Sequence, residues 1–199
     1  MNRKFAAGMV CLFAGLAGIL LFKHLTTPPA PHVIPPLHCS AAVARYQHQA
    51  DPRFTAHFIR PPHAASSASP YLLRIKSASQ QSYWFRFAAS NGYGGLFLVP
   101  VHAPRADADG MEDIYPDSSA EDVLAPYRDQ LRFYPLDEAL GILESPPLDA
   151  PDDKAPAFLL MPELGNLLWY EPALLNGQPG SAPEPLPRGL FRLSSCSGS

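Results

Sequence analysis

The chain has few cysteines, and acidic residues are nearly absent from its first half. Three cysteines in 199 residues are too few for a disulfide-dense scaffold. All seven histidines lie at or before His102, whereas every acid except Asp51 lies after Arg105. Local zinc signatures such as HExxH, which join histidines and an acid within a few positions, are therefore absent.

Short catalytic motifs are missing as well. The chain has neither GxSxG nor SxxK, and the glycine-rich turn at 90–95 precedes a predicted strand, so it indicates a hairpin rather than a phosphate cradle. Histidines with irregular spacing and an acidic loop at 105–117 are interpreted as solvated rather than metal-binding. We therefore expect no metal, no cofactor and no catalytic residue. The residues weighed as metal ligands are His48, Asp51, His57 and His63, and for calcium Asp107, Asp109, Glu112, Asp113 and Asp117.

The longest apolar run covers residues 5–22 and contains no charge and no proline. As a helix it would span roughly 27 Å, close to the hydrocarbon thickness of a bilayer. It follows Arg3 and Lys4, which predicts a membrane anchor over residues 1–24 with the N-terminus inside. A cleaved signal peptide is the alternative, although the small residue Ala30 is a poor cleavage site because prolines surround it.

Proline marks the boundary of the next region. Residues 25–36 contain five prolines, which predicts an extended linker over residues 25–38. Residues 39–199 are long enough for a single globular domain with its own core. Ten further prolines between residues 146 and 187 argue against long helices there.

Two of the cysteines stand at opposite ends of this domain. Cys39 lies where the linker ends, and Cys196 lies close to the end of the chain. In an oxidising compartment this placement predicts one disulfide that joins the start of the domain to its end. The alternative is two unrelated thiols.

The clearest local pattern is a strand period of two between residues 71 and 101. Tyr71, Leu73 and Ile75 alternate with polar positions, the same alternation recurs at 82–88, and an Asn-Gly turn leads into 96–101. The pattern predicts an antiparallel meander. We predict a helix over 40–49 and short strands at 130–134, 158–161, 167–170 and 190–193, with residues 140–144 as either a strand or a helix. The predicted fold class is α+β, mostly β, with an antiparallel sheet and a few short helices.

Charge divides the domain into two unequal halves. Residues 39–105 contain seven cations and one acid, whereas residues 106–199 contain seventeen acids and five cations. One predicted strand face carries Arg74, Lys76, Trp84 and Arg86, a combination suited to an anionic or sugar-bearing partner. The alternative is that the acidic half packs on this face and buries Trp84.

These observations favour a single-pass protein of the inner (cytoplasmic) membrane whose domain lies in the periplasm or outside. We interpret its role as non-catalytic, with residues 5–22 in the membrane and the domain binding or scaffolding a protein, a glycan or an anionic lipid, and not nucleic acid. The alternative is a periplasmic hydrolase whose active site is assembled only in the fold. The sequence makes no prediction of oligomeric state.

Overall fold

The computed structural model describes residues 37–62, 68–89, 95–105, 111–115, 122–145 and 154–197. Most of the regular structure is strand, as expected from the β-branched and aromatic residues that alternate with polar ones. The strands β1 to β8 are Ala44–His48, Thr55–Ile59, Leu72–Lys76, Ser82–Ala89, Leu96–Val101, Arg132–Leu136, Phe158–Leu160 and Leu190–Cys196.

The eight strands form a closed antiparallel barrel. Each strand pairs with the next along the chain, and β8 pairs with β1 to close the ring. The predicted α+β fold class is therefore wrong, because the antiparallel sheet closes into a barrel, although β3, β4 and β5 lie within residues 71–101 as successive antiparallel strands. Closure removes the two sheet edges, whose backbone donors and acceptors would otherwise lack partners.

The strand that closes the barrel is one that the sequence pattern concealed. We predicted a helix over 40–49 with Ser40 as its N-cap, but the structure has a short 3-10 helix, Ala41–Val43, followed by β1. Ala44, Tyr46 and His48 are buried inside the barrel, whereas Arg45 and Gln47 point outward. Pairing on both edges of β1 outweighs a weak helix propensity.

Aromatic side chains fill the barrel interior. Phe58 lies with ring centroids 5.8 Å from Tyr46 and 6.1 Å from Phe87, and Phe87 lies 5.0 Å from Phe133. The buried hydroxyl of Tyr46 donates a hydrogen bond of 2.9 Å to the carbonyl of Pro156. Eight strands enclose a space that side chains of this size can fill, so these residues form a packed core.

Two short helices pack at the barrel end where β3 turns into β4. Helix α1 is Leu164–Tyr170 and helix α2 is Pro172–Asn176, so the strand predicted at 167–170 is wrong. Leu164, Leu167 and Leu168 of α1 are buried in the main core. The spacing of these leucines matches one face of a helix, which explains why this apolar run is not a strand.

A disulfide joins Cys39 to Cys196, as predicted, with Cα atoms 6.0 Å apart and a sequence separation of 157. Cys196 lies opposite Ala44 in the β1–β8 ladder, and the amide of Ser197 donates to the carbonyl of Val43. The bridge therefore lies at the seam where the barrel closes.

The predicted anchor at 5–22 and the linker up to residue 36 lie outside the described residues, so the proposed division of the chain stays a prediction. Within the described ranges, no helix has the length and apolar character required to cross a bilayer.

Candidate binding site

A row of cationic and aromatic side chains crosses four strands on the outside of the barrel. Arg45 on β1 lies opposite His57 on β2, His57 lies opposite Arg74 on β3, and Arg74 lies opposite Trp84 on β4. Their neighbours along each strand point into the core, so these four side chains share the outer face. Adjacent strands lie about 4.8 Å apart, which makes neighbouring side chains in the row direct contacts.

A second row lies beside the first, displaced by two residues along each strand. It contains Arg192 on β8, Gln47 on β1, Thr55 on β2 and Lys76 on β3. Two residues of strand correspond to about 6.7 Å, so an extended ligand could contact both rows. We call the two rows together the cationic face: Arg45, Gln47, Thr55, His57, Arg74, Lys76, Trp84 and Arg192.

The cationic face carries four permanent positive charges, and the described part of the chain places no neutralising acid beside them. Among the described residues, no carboxylate lies within ion-pair distance of Arg45, Arg74, Lys76 or Arg192. Clustered like charges without counter-charges repel one another and raise the local positive potential. This face therefore attracts anions.

Arg86, the fourth residue of the predicted site, has a partner of its own. Its Nε and Nη2 atoms donate to the two carboxylate oxygens of Asp113 at 2.8 and 2.9 Å, and both side chains are half-buried. Asp113 is held there by a backbone bridge to Val101 on β5. The structure thus brings Arg74, Lys76 and Trp84 together and leaves Arg86 neutralised at their side.

Arg74 is held in one orientation. Its Nε and Nη2 atoms both donate to the hydroxyl of Ser82, at 3.1 and 2.9 Å, and its guanidinium carbon lies 5.1 Å from the centre of the Trp84 ring. The remaining guanidinium hydrogens stay free to bind a ligand. A cation that is already ordered loses less conformational entropy on binding an anion.

Trp84 acts here mainly as the support for Arg74. It is half-buried and packs beside Leu72, Val101 and Met111 outside the barrel. With Arg74 over its ring and apolar side chains around it, Trp84 has little free surface for stacking a ligand. Its contribution is therefore to position the guanidinium.

His57 sits between two arginines, and sequence reasoning did not include it in the site. Burial, followed by the charges of Arg45 and Arg74, lowers the pKa of His57 to about 4, so it is neutral at pH 7. A neutral imidazole adds no repulsion to the row and still offers a hydrogen bond. Arg45 and Arg192 were also missed, since Arg45 belongs to the segment that we had assigned to a helix.

Two buried polar groups lie away from the cationic face and serve the fold. His48 is 2% exposed, and its Nδ1 atom accepts hydrogen bonds from the backbone amides of Ala50 and Asp51. Glu184 accepts hydrogen bonds from the hydroxyls of Ser77, at 2.7 Å, and Ser79. These contacts fix the turn after β1 and tie the segment before β8 to the turn between β3 and β4.

The four described histidines, which are His38, His48, His57 and His102, make no hydrogen bond to a serine or cysteine side chain. The hydrolase alternative therefore stays a prediction without a catalytic set to support it. Within the described ranges, no three ligand-type side chains converge as they would around a metal ion. Asp107, Asp109 and Asp117 of the acidic loop lie outside these ranges.

Comparison of the chain with protein-family models, with curated proteins and with solved structures finds no match. The functional argument therefore depends on the geometry of the cationic face.

Proposed function

We propose that the domain is a non-catalytic binding module whose cationic face holds an acidic polysaccharide outside the reducing cytoplasm. The observation that carries this proposal is the pair of parallel rows with four cations and no acid. Cations that lie in two rows on β8, β1 and β3 match a linear polymer whose acidic groups repeat along its length.

Other anionic partners fit this surface less well. A membrane-binding surface usually adds apolar side chains that enter the headgroup region. The large apolar side chains found exposed in the described ranges lie elsewhere than on the cationic face. A protein interface has an apolar centre depleted of charge, and this face has the opposite composition.

The disulfide supports the compartment. Stable disulfides form and persist in oxidising environments, so the Cys39–Cys196 bridge favours a domain that faces the periplasm or the exterior. Nucleic acid is a less suitable partner in that compartment. We further propose that residues 5–22 attach the domain to the membrane.

The experiment measures binding of heparin, as a model acidic polysaccharide, to the whole protein. Arg45→Glu with Lys76→Glu reverses two charges of the cationic face. Arg53→Glu with Arg105→Glu is the matched control, because it changes net charge equally at exposed cations outside the face that already pair with Asp51 and Glu112. Charge-assisted hydrogen bonds contribute about 1.5–3 kcal/mol each, so we expect the face variant to weaken binding at least about tenfold.

The control variant should weaken heparin binding far less. Equal losses in the two variants would show that net charge alone attracts heparin, and the cationic face would not be its site. Anionic lipid vesicles and single-stranded DNA are tested in parallel, since a stronger, face-dependent response to either would replace the polysaccharide as the partner. Undetectable binding of all three polyanions would refute the proposal.

A further inference from the structure

A concave surface lies at the barrel end where β7 and β8 meet helix α1. It is a groove of about 390 Å³ between α1 and the segment that precedes β8. We call it the aromatic groove and define it by Asn166, Trp169, Tyr170, Pro185, Pro187 and Arg188. Its volume lies within the range of sites that bind small organic groups.

The two aromatic side chains of the groove are unusually exposed. Trp169 is 48% exposed and Tyr170 is 74% exposed, although Leu164, Leu167 and Leu168 of the same helix are fully buried. The helix is thus anchored through its leucines, and its aromatic residues are not needed for the core. Rings of this size left in water mark interaction surfaces more often than isolated aliphatic residues do.

The opposite wall of the groove is rigid. A Cβ atom at Gly165 would lie 2.7 Å from the carbonyl oxygen of Leu186, so the two walls pack at a distance that excludes a larger residue there. Pro185 and Pro187 restrict the backbone of this wall, and the amide of Glu184 donates to the carbonyl of Leu168 across the two walls. The groove is therefore formed before any ligand binds.

The polar groups of the groove select the kind of ligand. Arg188 is exposed and has no acidic partner among the residues that the structure describes, so it favours an anionic group. The side-chain amide of Asn166 donates to Glu163 at 2.5 Å, which orders it at the rim. Aromatic rings beside a cation and an amide suit a sugar ring, which has apolar C–H faces and polar edges.

The aromatic groove and the cationic face lie close to each other near the start of β8. Arg188 lies two residues before β8, and Arg192 on β8 begins the second row of the face. Four residues of chain separate these two arginines by at most about 14 Å. Both sites are therefore within reach of one extended polymer.

Resting on the proposed function, we propose that the aromatic groove is the sugar-recognition subsite of the same polysaccharide site. Trp169 and Tyr170 stack on a pyranose ring, Arg188 contacts its acidic substituent, and the chain continues from there onto the cationic face. The face supplies charge attraction, and the groove distinguishes a polysaccharide from any other polyanion.

The test compares heparin with inorganic polyphosphate, a polyanion that has no sugar ring. In the whole protein we expect Trp169→Ala to weaken heparin binding about 3- to 10-fold, as the loss of one aromatic contact does, and to leave polyphosphate binding unchanged. Ile142→Ala is the matched control, because Ile142 is an exposed large apolar residue outside both sites (63% exposed) and should change neither affinity.

Fluorescence gives a second readout. Trp84 and Trp169 are the two tryptophans of the chain, so Trp84→Phe leaves Trp169 as the sole reporter and keeps an aromatic ring beside Arg74. We expect heparin, and not polyphosphate, to change the emission of Trp169 in this variant.

The outcomes separate this inference from the proposed function. If Trp169→Ala binds heparin and polyphosphate as the unchanged protein does, the groove is not a subsite while the cationic face still binds polyanions. If the unchanged protein binds neither polyanion, the proposed function fails and this inference fails with it. Binding of uncharged lipid vesicles or self-association that depends on Trp169 would overturn the inference in favour of a membrane or a second copy.

Discussion

Two flanks of the barrel exterior both carry outward-facing cations, and they differ in whether an acid neutralises them. On β4 and β5, Arg86 meets Asp113 from a segment that folds back along the barrel. On β8, β1, β2 and β3, four cations have no described acid beside them. The comparison shows that the excess of acids in the second half of the chain does not neutralise the first half uniformly. Among the described residues, one flank is neutralised within the fold and the other keeps its positive charge.

The largest expected effect comes from breaking the seam that carries the unneutralised flank. Arg45 and Arg192 belong to the two strands that close the barrel, and the Cys39–Cys196 disulfide spans the same closure. Replacing both cysteines by serine should lower the free energy of unfolding by about 2–5 kcal/mol, because the unfolded chain regains the freedom of a long closed loop. Denaturant unfolding of the two proteins measures this difference.

The neutralised flank does not cross the seam, so it provides the internal control. Hydrogen exchange should show faster opening of β1 and β8 than of β4 and β5 in the Cys→Ser variant. An unchanged free energy of unfolding would mean that the ladder between β1 and β8 alone maintains closure.

Part of this difference between the two flanks could be predicted from the sequence. Period-two alternation between residues 71 and 101 predicted that Arg74, Lys76, Trp84 and Arg86 share one strand face, because the side-chain period and the strand register together fix which residues share a face. The pairing of Cys39 with Cys196 followed from their places at the two ends of the domain. The sequence therefore predicts contacts between residues that are close along the chain, and it predicts a distant contact only where a single pair of residues can form it.

Barrel closure and the second row depend on long-range pairing that no local pattern encodes. Arg45 lies beside His57 and opposite Ser195, residues far from it in sequence. The segment that contains Arg45 was predicted to be a helix. It forms a strand because β1 pairs with a neighbouring strand on each of its two edges. Likewise, the bond from Arg86 to Asp113 requires a fold-back of the chain that charge counts cannot locate.

We expect an intermediate effect on stability when the acid that neutralises Arg86 is removed, so that this flank also carries an unpaired cation. Asp113→Asn removes the charge that holds Arg86 and keeps the size of the side chain. The pair is half-buried and doubly hydrogen-bonded, so we expect the free energy of unfolding to fall by about 1 kcal/mol. We expect heparin affinity to rise about two- to threefold, since Arg86 then adds to the positive potential beside Trp84.

Glu112→Gln is the matched control, because Glu112 lies one residue away and pairs with the exposed Arg105 instead. If both variants raise heparin affinity equally, loss of any nearby acid explains the effect, and the specific neutralisation of Arg86 does not.

The last expected effect concerns the pH dependence of the unneutralised flank. The pKa of His57 is about 4 in the folded protein and near 6.5 in an unfolded chain, chiefly because of burial and then because of Arg45 and Arg74. Between these values the unfolded state binds more protons, so stability rises with pH there. The contribution of His57 is fully present above pH 6.5 and is lost as the pH falls towards 4.

We would measure the free energy of unfolding of the unchanged protein and of His57→Gln from pH 7.5 to pH 4. The difference between the two proteins isolates the contribution of His57. His48 has a pKa lowered by burial and contributes in the same direction, so the difference between the two proteins is the relevant quantity. That difference should change with pH between 6.5 and 4. A bound polyanion raises the pKa of His57 by favouring its charged form, so heparin should bind more tightly at pH 5 than at pH 7 through His57. If His57→Gln shows the same pH dependence of heparin affinity as the unchanged protein, the bound anion does not lie between Arg45 and Arg74, and its position on the cationic face must be revised.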